Sequence, residues 1–326
     1  MPNKQARAKS QEPVVLDRSD FLAMKNKPYR EVVADYLEWA LGQDLAKKGD
    51  ITTSIFLTSS KKEIKAQVRS RNNEGILAGR EELEFFLESK KIDFKFHYQD
   101  GEKFPAQNQV LLTIQSQVTD VLVFERLILN FLQRMISIAT NTEAFCARIR
   151  EITPHAKIAS TRKSPLGLMD KKAVAVGGGL THRLGLFDAI LIKDNHLHIL
   201  NQSQNIDELL EKYLTVINES EAAFLEIECD DQERFLEIIK NIKKNKFHHR
   251  INKKIILMLD NFSPKEAKKS IQVLEKEGLR QIVFTEISGG VSFGNLKDYA
   301  RCESDFISTS ALVSDCPSID IGMDFV

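Results

Sequence analysis

The chain has 326 residues, 42% hydrophobic and 28% charged, the balance of an ordinary globular protein with room for one or two domains. Lysine plus arginine and aspartate plus glutamate both number 46, so the chain lacks the basic field on which non-specific nucleic-acid binding depends, and no apolar run approaches the roughly 18 residues needed to cross a bilayer. Its four cysteines, Cys146, Cys229, Cys302 and Cys316, are widely spaced with no C-x-x-C pair; that indicates neither a zinc site nor a disulfide framework and fits a reducing cytoplasm.

The opening MPNKQARAKSQ carries three basic side chains and no acid, and residues 1–25 are expected to be a flexible tail. From Tyr29 to Leu41, Val32, Val33, Tyr36, Leu37 and Leu41 recur at helical spacing, predicting an amphipathic helix. Between Glu63 and Val118 the period changes to short alternating stretches, IKAQVRS, FKFHYQ and VLLTIQS. The helix-like EELEFFLES lies between the first two, and turn signals fall at Asn72-Asn73 and Asp100-Gly101. Residues 26–131 therefore read as a small α/β or α+β domain with an antiparallel component. Asp120 to Ile149, without glycine or proline, reads as one or two helices leading out of it.

After residue 155 the texture is regular. The apolar runs KIASTRK, AILIKDNH, AFLEIECD, KIILMLDN, QIVFTEISGG and DFISTSAL alternate with helical stretches such as QERFLEIIKNIKK and PKEAKKSIQVLEKEG. Runs without clean alternation suggest strands buried on both faces, and helical crossovers imply that they run parallel. A β/α barrel over residues 132–313 is expected, with its chemistry at the carboxyl ends of the strands.

Those ends separate two chemistries. Thr161, Arg162, Lys163, His182, Arg183 and Lys193 are predominantly cationic, and Thr161 to His196 holds six Lys/Arg against three Asp in a chain that is neutral overall. Cations converging on one cavity need an anion to complete them, which implies a substrate with more than one carboxylate or phosphate. Glu226, Glu228 and Asp260 supply carboxylates. Glu228 and Asp260, expected on neighbouring strands, form a plausible Mg²⁺ seat. Ser288, Gly289 and Gly290, ahead of a helix expected near Ser292, can offer N–H groups to a phosphate; Ser308 to Ser310 closes the last strand.

Other features read structurally. Gly177-Gly178-Gly179 is expected to end a helix rather than cradle a phosphate. Arg126, in FERLILNFLQRM, reads by itself as a solvated charge paired with Glu125 or a neighbour. His248 and His249 are adjacent and poorly placed to share a metal. Lys240 to Lys254, with seven Lys/Arg and no acid, reads as a solvated loop.

GDITT (Gly49 to Thr53), ERLILNFLQRM (Glu125 to Met135), STRK (Ser160 to Lys163), GGGLTHRLGLFDAILIKDNH (Gly177 to His196), LEIECD, LDNFSP, EISGG and DFISTSALVSD together resemble the quinolinate phosphoribosyltransferases. The strings fall in the family's order and cover about residues 30 to 326. The resemblance implies an open or incomplete β/α barrel with an N-terminal α/β sandwich domain, the latter joined by the C-terminal segment 314–326. It implies transfer of phosphoribosyl from phosphoribosyl pyrophosphate (PRPP) to quinolinate with decarboxylation, giving nicotinate mononucleotide for NAD synthesis. Arg162, Lys163, His182, Arg183 and Lys193 would surround the quinolinate. Glu228 and Asp260 would serve the ribose and Mg²⁺, with Lys163 and Lys193 beside them as catalytic groups. Thr161 would line the site, and Ser288, Gly289, Gly290, Ser308 and Ser310 would take the 5′-phosphate. Arg126 would enter the partner subunit's site, making the assembly a homodimer or larger.

This chain also departs from the family's pattern. Ser164 to Met169 lacks the arginine usual after TRK and is shortened, Ser160 replaces an aspartate, Ile136-Ser137 replaces a Ser-Gly pair, and Ser310 replaces a glycine. These departures leave open a phosphoribosyltransferase for another acidic aromatic, or a non-catalytic relative that binds a phosphorylated metabolite.

Overall fold

A computed structural model describes residues 16–57, 60–71, 73–154, 156–199 and 206–326. The chain divides into two compact units. One comprises Ser19–Glu143, Ser164–Gly178 and Leu312–Val326; the other comprises Ala144–Lys163, Gly179–Ala311 and the residues up to Arg18. The segment Ser164–Gly178, which the sequence runs on with the barrel, thus clusters with the first unit.

Residues 1–15 of the expected tail lie outside the described residues. Residues 16–25, assigned to the same tail, are folded. Leu16 and Leu22 are buried, and Ser19–Leu22 forms a 3-10 turn. Burial of each leucine is worth roughly 2 kcal/mol, a gain that a stretch read by composition alone does not advertise.

In the first unit α1 (Lys27–Leu45) buries Tyr29, Val33, Leu37 and Leu41, every fourth residue, and leaves Val32 exposed. α2 (Ile51–Phe56) follows GD of the GDITT string because Asp50 caps it, accepting the Thr53 N–H at 3.0 Å. The sheet is antiparallel. β1 (Glu63–Ser70) pairs with β5 (Val110–Gln117) on one side and with the C-terminal strand Ile321–Phe325 on the other, and β3 (Asp93–Phe96) flanks β5. The short strands β2 (Gly75–Ile76) and β4 (Lys103–Phe104) form a separate ladder. α3 (Arg80–Ser89) packs Leu83, Phe86 and Leu87 inward together with Glu82. Glu82 accepts the Tyr29 hydroxyl at 2.7 Å, and burial, reinforced by Asp100, raises its carboxyl to about 7 against the pull of Lys172.

α4 (Val118–Arg150) is a single helix of 33 residues, resolving the choice between one helix and two. Arg134 on it makes a bidentate pair with buried Asp170 of α5 (Leu168–Val176) at 2.6 and 2.8 Å. Gly177 ends α5 as expected, and a Cβ there would collide with the Ala139 carbonyl.

The second unit carries six parallel strands: β6 (Lys157–Ala159), β7 (Ile190–Ile192), β8 (Phe224–Cys229), β9 (Lys254–Asp260), β10 (Val283–Ser288) and β11 (Phe306–Ser308). Their order is β6-β11-β10-β9-β8-β7. Among the described residues no ladder joins β6 to β7, and the edge is extended only by an Ala159–Leu180 bridge. The sheet is therefore open, as the incomplete-barrel expectation requires. α6 (Asp194–Ile199) and α7 (Ile206–Glu219) link β7 to β8. α8 (Gln232–Lys244) and α9 (Phe247–Arg250) precede β9, and α10 (Pro264–Lys276) follows it with a complete Ser263–Glu266 capping box. The basic stretch Lys240 to Lys254 is thus not a plain loop: Ile242, Phe247 and Ile251 are buried beneath its lysines.

Because residues two apart on a strand share a face, the strands present three levels. Phe224, Ile256, Phe284 and Phe306 form an apolar core with Leu16, Ala159, Leu180 and Ala189. Glu226, Met258, Glu286 and Ser308 come next. Glu228, Asp260 and Ser288 stand at the carboxyl ends. No helix among the described residues is long and apolar enough to cross a membrane.

Candidate active site

The carboxyl ends gather the predicted charges of this unit. β8 and β9 are neighbours in register, so Glu228 and Asp260 stand on adjacent strands. Lys193, just past β7, lies 3.7 Å from Glu228. Burial raises the Glu228 carboxyl; Lys193 opposes this, while Asp260 adds to it. Burial likewise raises Asp260, against a hydrogen bond from Ser288 and the pull of Lys193 and Lys163. Two half-buried carboxylates on adjacent strands, with Asp260 raising Glu228, present hard oxygens, and that donor set fits Mg²⁺.

Arg162 and Lys163 are exposed on the loop after β6, where the Lys163 N–H donates to Thr161 Oγ1 at 3.1 Å. Arg183 is buried. Its Nη1 donates to the Ala189 carbonyl at 3.3 Å, and its Nε has no hydrogen-bond partner. Burial lowers the Arg183 guanidinium and neighbouring Arg162 lowers it further, a repulsion that an anion between the two would relieve.

Gly289 (φ +84°) and Gly290 (φ +63°) follow β10 in the left-handed region, where glycine is unstrained. A Cβ on Gly289 would strike Asn261. The helix expected near Ser292 begins later, at Leu296, and has only 5 residues; Asn295 instead accepts the Ser292 N–H at 2.8 Å. Ser288 therefore leads into a glycine turn without a helix terminus behind it.

Two predicted residues meet a buried carboxylate pair one level below the strand ends. His182 is buried, its Nε2 3.1 Å from Glu226 and 3.0 Å from Glu286. Burial disfavours charge on the ring, but the two carboxylates outweigh it and hold His182 up at about 10. Glu226 is raised to about 8 by burial and by Glu286, whereas His182 and Ser308 hold Glu286 below its ordinary value against its own burial. The Ser308 hydroxyl donates to Glu286, so Ser308 faces this buried cluster, while Ser310 is half-exposed. Glu226 is legible near a strand end and Glu286 lies within EISGG, yet nothing in the sequence announces their engagement with His182. Their spacing signals only a shared level, each two residues before a residue of the upper level.

A cleft of about 660 Å³ opens beside Glu228, lined also by Asp194, Asn195, His198, Asp230 and Arg234. Of the predicted residues it touches Glu228 alone. Arg126, in the other unit, has a side chain 64% exposed and 3.7 Å from Glu125.

An open parallel β/α sheet with interleaved cations and carboxylates at its strand ends defines a protein built to hold a polyanion. The profile of the quinolinate phosphoribosyl transferase C-terminal domain matches residues 138–324, and that of the N-terminal domain matches residues 50–136. The chain belongs to the quinolinate phosphoribosyltransferase family. It is 31% identical, over 84% of its length and 92% of the relative's, to a probable nicotinate-nucleotide pyrophosphorylase [carboxylating] of Methanothermobacter thermautotrophicus. To the nicotinate-nucleotide pyrophosphorylase [carboxylating] of Mycobacterium leprae it is 29% identical over 90% and 97% of the two chains. Among solved structures, the nicotinate-nucleotide pyrophosphorylase of Francisella tularensis superposes with a TM-score of 0.75 at 28% identity, covering 91% of this chain and 96% of that one.

Proposed function

We propose that this protein transfers the phosphoribosyl group of PRPP to quinolinate with loss of carbon dioxide, yielding nicotinate mononucleotide and pyrophosphate for NAD synthesis. The observation that carries this reading is the alternation of charge across adjacent strand ends: Lys193 on Glu228, Asp260 under the pull of Lys193 and Lys163, and Arg162 facing Arg183. A planar dicarboxylate suits the arginines, and a Mg²⁺-bound diphosphate suits the carboxylates and lysines.

Glu228 and Asp260 would hold Mg²⁺, which when bound neutralises charge on the departing pyrophosphate. Leaving-group departure builds oxocarbenium character at the anomeric carbon, and the ring nitrogen, held in line by Arg162, Arg183 and His182, captures it. No covalent intermediate with the chain is required. The quaternised ring then stabilises the carbanion left when the adjacent carboxylate departs as carbon dioxide, with Lys163 and Lys193 placed to steer that carboxylate. A proton from water completes the C–H bond of the product. Thr161, Ser288, Gly289, Gly290 and Ser310 complete the binding surface, with the glycine turn taking the 5′-phosphate.

We place Arg126 in the neighbouring subunit's site, which makes the protein a homodimer or a larger homo-oligomer; its exposure leaves it free to reach another chain. All four cysteines are free thiols, in keeping with a cytoplasmic setting. A second reading, transfer to another acidic aromatic, is favoured by the segment Ser164 to Met169. It folds into a tight turn, Gly167 N–H to Ser164 carbonyl at 2.9 Å, and carries no arginine.

Purified protein incubated with Mg²⁺ and PRPP, offered quinolinate, nicotinate or no acceptor, tests these readings. Equal amounts of nicotinate mononucleotide, pyrophosphate and carbon dioxide with quinolinate alone support the first. Pyrophosphate formed only with a different acid supports the second.

A further inference from the structure

The reaction as proposed uses His182 but gives no task to the two glutamates behind it. His182 is restrained from several directions. Its backbone N–H donates to the Leu16 carbonyl at 3.0 Å. Its φ of +52° is one that a residue with a Cβ adopts at a cost of about 1–2 kcal/mol. Its ring lies 5.6 Å from that of Phe224 and 6.1 Å from that of Phe306. The remaining edge meets Glu226 and Glu286, whose side chains are 0% and 1% exposed. These are close ion contacts rather than aligned hydrogen bonds, because His182 Nε2, both Glu226 oxygens and Glu286 Oε2 have no partner in hydrogen-bond geometry.

A fold that needed only to satisfy a buried histidine would use one acceptor. Two buried carboxylates against one ring edge are more than that requires, and each is expensive to hide from water. The pair also reaches the level above: Glu226 acts on Arg183, and Glu286 acts on Asp260. The cluster therefore lies under both halves of the site.

We propose that Glu226 and Glu286 are positioning residues that clamp the His182 ring in the orientation from which it and Arg183 receive the pyridine dicarboxylate. This rests on the phosphoribosyl-transfer reading and deepens it, assigning acceptor binding to a support two strands wide. The glutamates do not touch the substrate; they act through the histidine. The three ligand atoms lie within 4.8 Å of one another, so a metal ion is the competing occupant.

The test compares Glu226→Gln, Glu286→Gln and His182→Asn in the full chain, singly and combined, with folding checked by near-ultraviolet circular dichroism. Each glutamine variant is expected to raise KM for quinolinate about tenfold or more while leaving KM for PRPP within about twofold. Neither should add to the loss already caused by His182→Asn, since residues acting through one group are not additive. Additive losses, or equal rises in both KM values, would assign the glutamates to the fold alone and overturn the proposal. So would a metal ion that stays bound through dialysis in Glu228→Gln but is lost in His182→Asn. A second readout needs no substrate: in ¹⁵N-histidine-labelled protein at pH 8, both His182 ring nitrogens should carry protons in the parent chain and lose that signature in Glu286→Gln. A neutral His182 in the parent chain would overturn the clamp whether or not the protein transfers phosphoribosyl.

Discussion

The Lys193 ammonium stands 3.7 Å from the Glu228 carboxylate across the ends of β7 and β8, with 42% of the lysine side chain and 15% of the glutamate side chain open to solvent. An ion pair that exposed contributes little to stability, about 1 kcal/mol at most. Its placement at the strand ends gives it a different use. Lys193→Ala and Lys163→Ala are expected to lower kcat by about 100-fold or more while leaving the midpoint of thermal unfolding nearly unchanged. Near-normal turnover in either variant would remove that lysine from the chemistry.

Glu228 and Asp260 are the proposed holders of Mg²⁺. Treatment with a chelator is expected to abolish activity and added Mg²⁺ to restore it. In Glu228→Gln and Asp260→Asn the Mg²⁺ needed for half-maximal rate should rise about tenfold or more. An unchanged Mg²⁺ requirement would move the metal elsewhere.

The shared site can be tested by mixing subunits. Arg126→Ala and Lys193→Ala chains, each nearly inactive alone, are expected to regain activity once they exchange, because some mixed sites then contain both native residues. With exchange verified by mass, no recovery would show that each site is built within one chain.

Gly289→Ala places a Cβ in a left-handed turn and against Asn261. A stability loss of about 1–3 kcal/mol and a raised KM for PRPP are expected, with KM for quinolinate much less affected. Steady-state kinetics at varied PRPP, together with urea unfolding, separate the two effects.

Glu82 supplies a pH dependence of stability. Its folded carboxyl is raised from 4.5 to about 7, so between those values the folded state holds the proton more tightly than the unfolded chain does. Stability therefore falls as pH rises through that window, by an amount on the order of 3 kcal/mol. Glu82→Gln keeps an acceptor for Tyr29 and has no charge to bury. Its unfolding free energy should vary much less between pH 5 and pH 7.5, measured by urea titration, than that of the parent chain.

Much of this architecture was legible because buried parallel strands write themselves as uninterrupted apolar runs. FLEIEC became β8 and KIILMLD became β9, and reading their ends placed Glu228 beside Asp260. The features that escaped depended on register or on contacts distant in sequence. Ser308 looked like a phosphate ligand, but the parity of β11 turns its hydroxyl to Glu286. Glu226 and Glu286 came from separate strands and His182 from a loop, so no local pattern announced their meeting. Leu16 and Leu22 lay in a polar context with no period to mark them. Around Lys240 to Lys254 the abundance of charge hid the three apolar anchors that order the segment.

The C-terminal strand Ile321–Phe325 lies antiparallel along β1, with Ala66 opposite Phe325 and Ser70 opposite Ile321. The first strand among the described residues and a segment near position 326 are therefore neighbours. During synthesis β1 leaves the ribosome with both edges open; β5 closes one, and the other stays open until the residues beyond 320 emerge. Until then it is exposed to pairing with other chains. A nascent chain stalled before this point would carry a finished parallel sheet and an unfinished antiparallel one, and truncation at the C-terminus should first be felt as aggregation of the N-terminal unit.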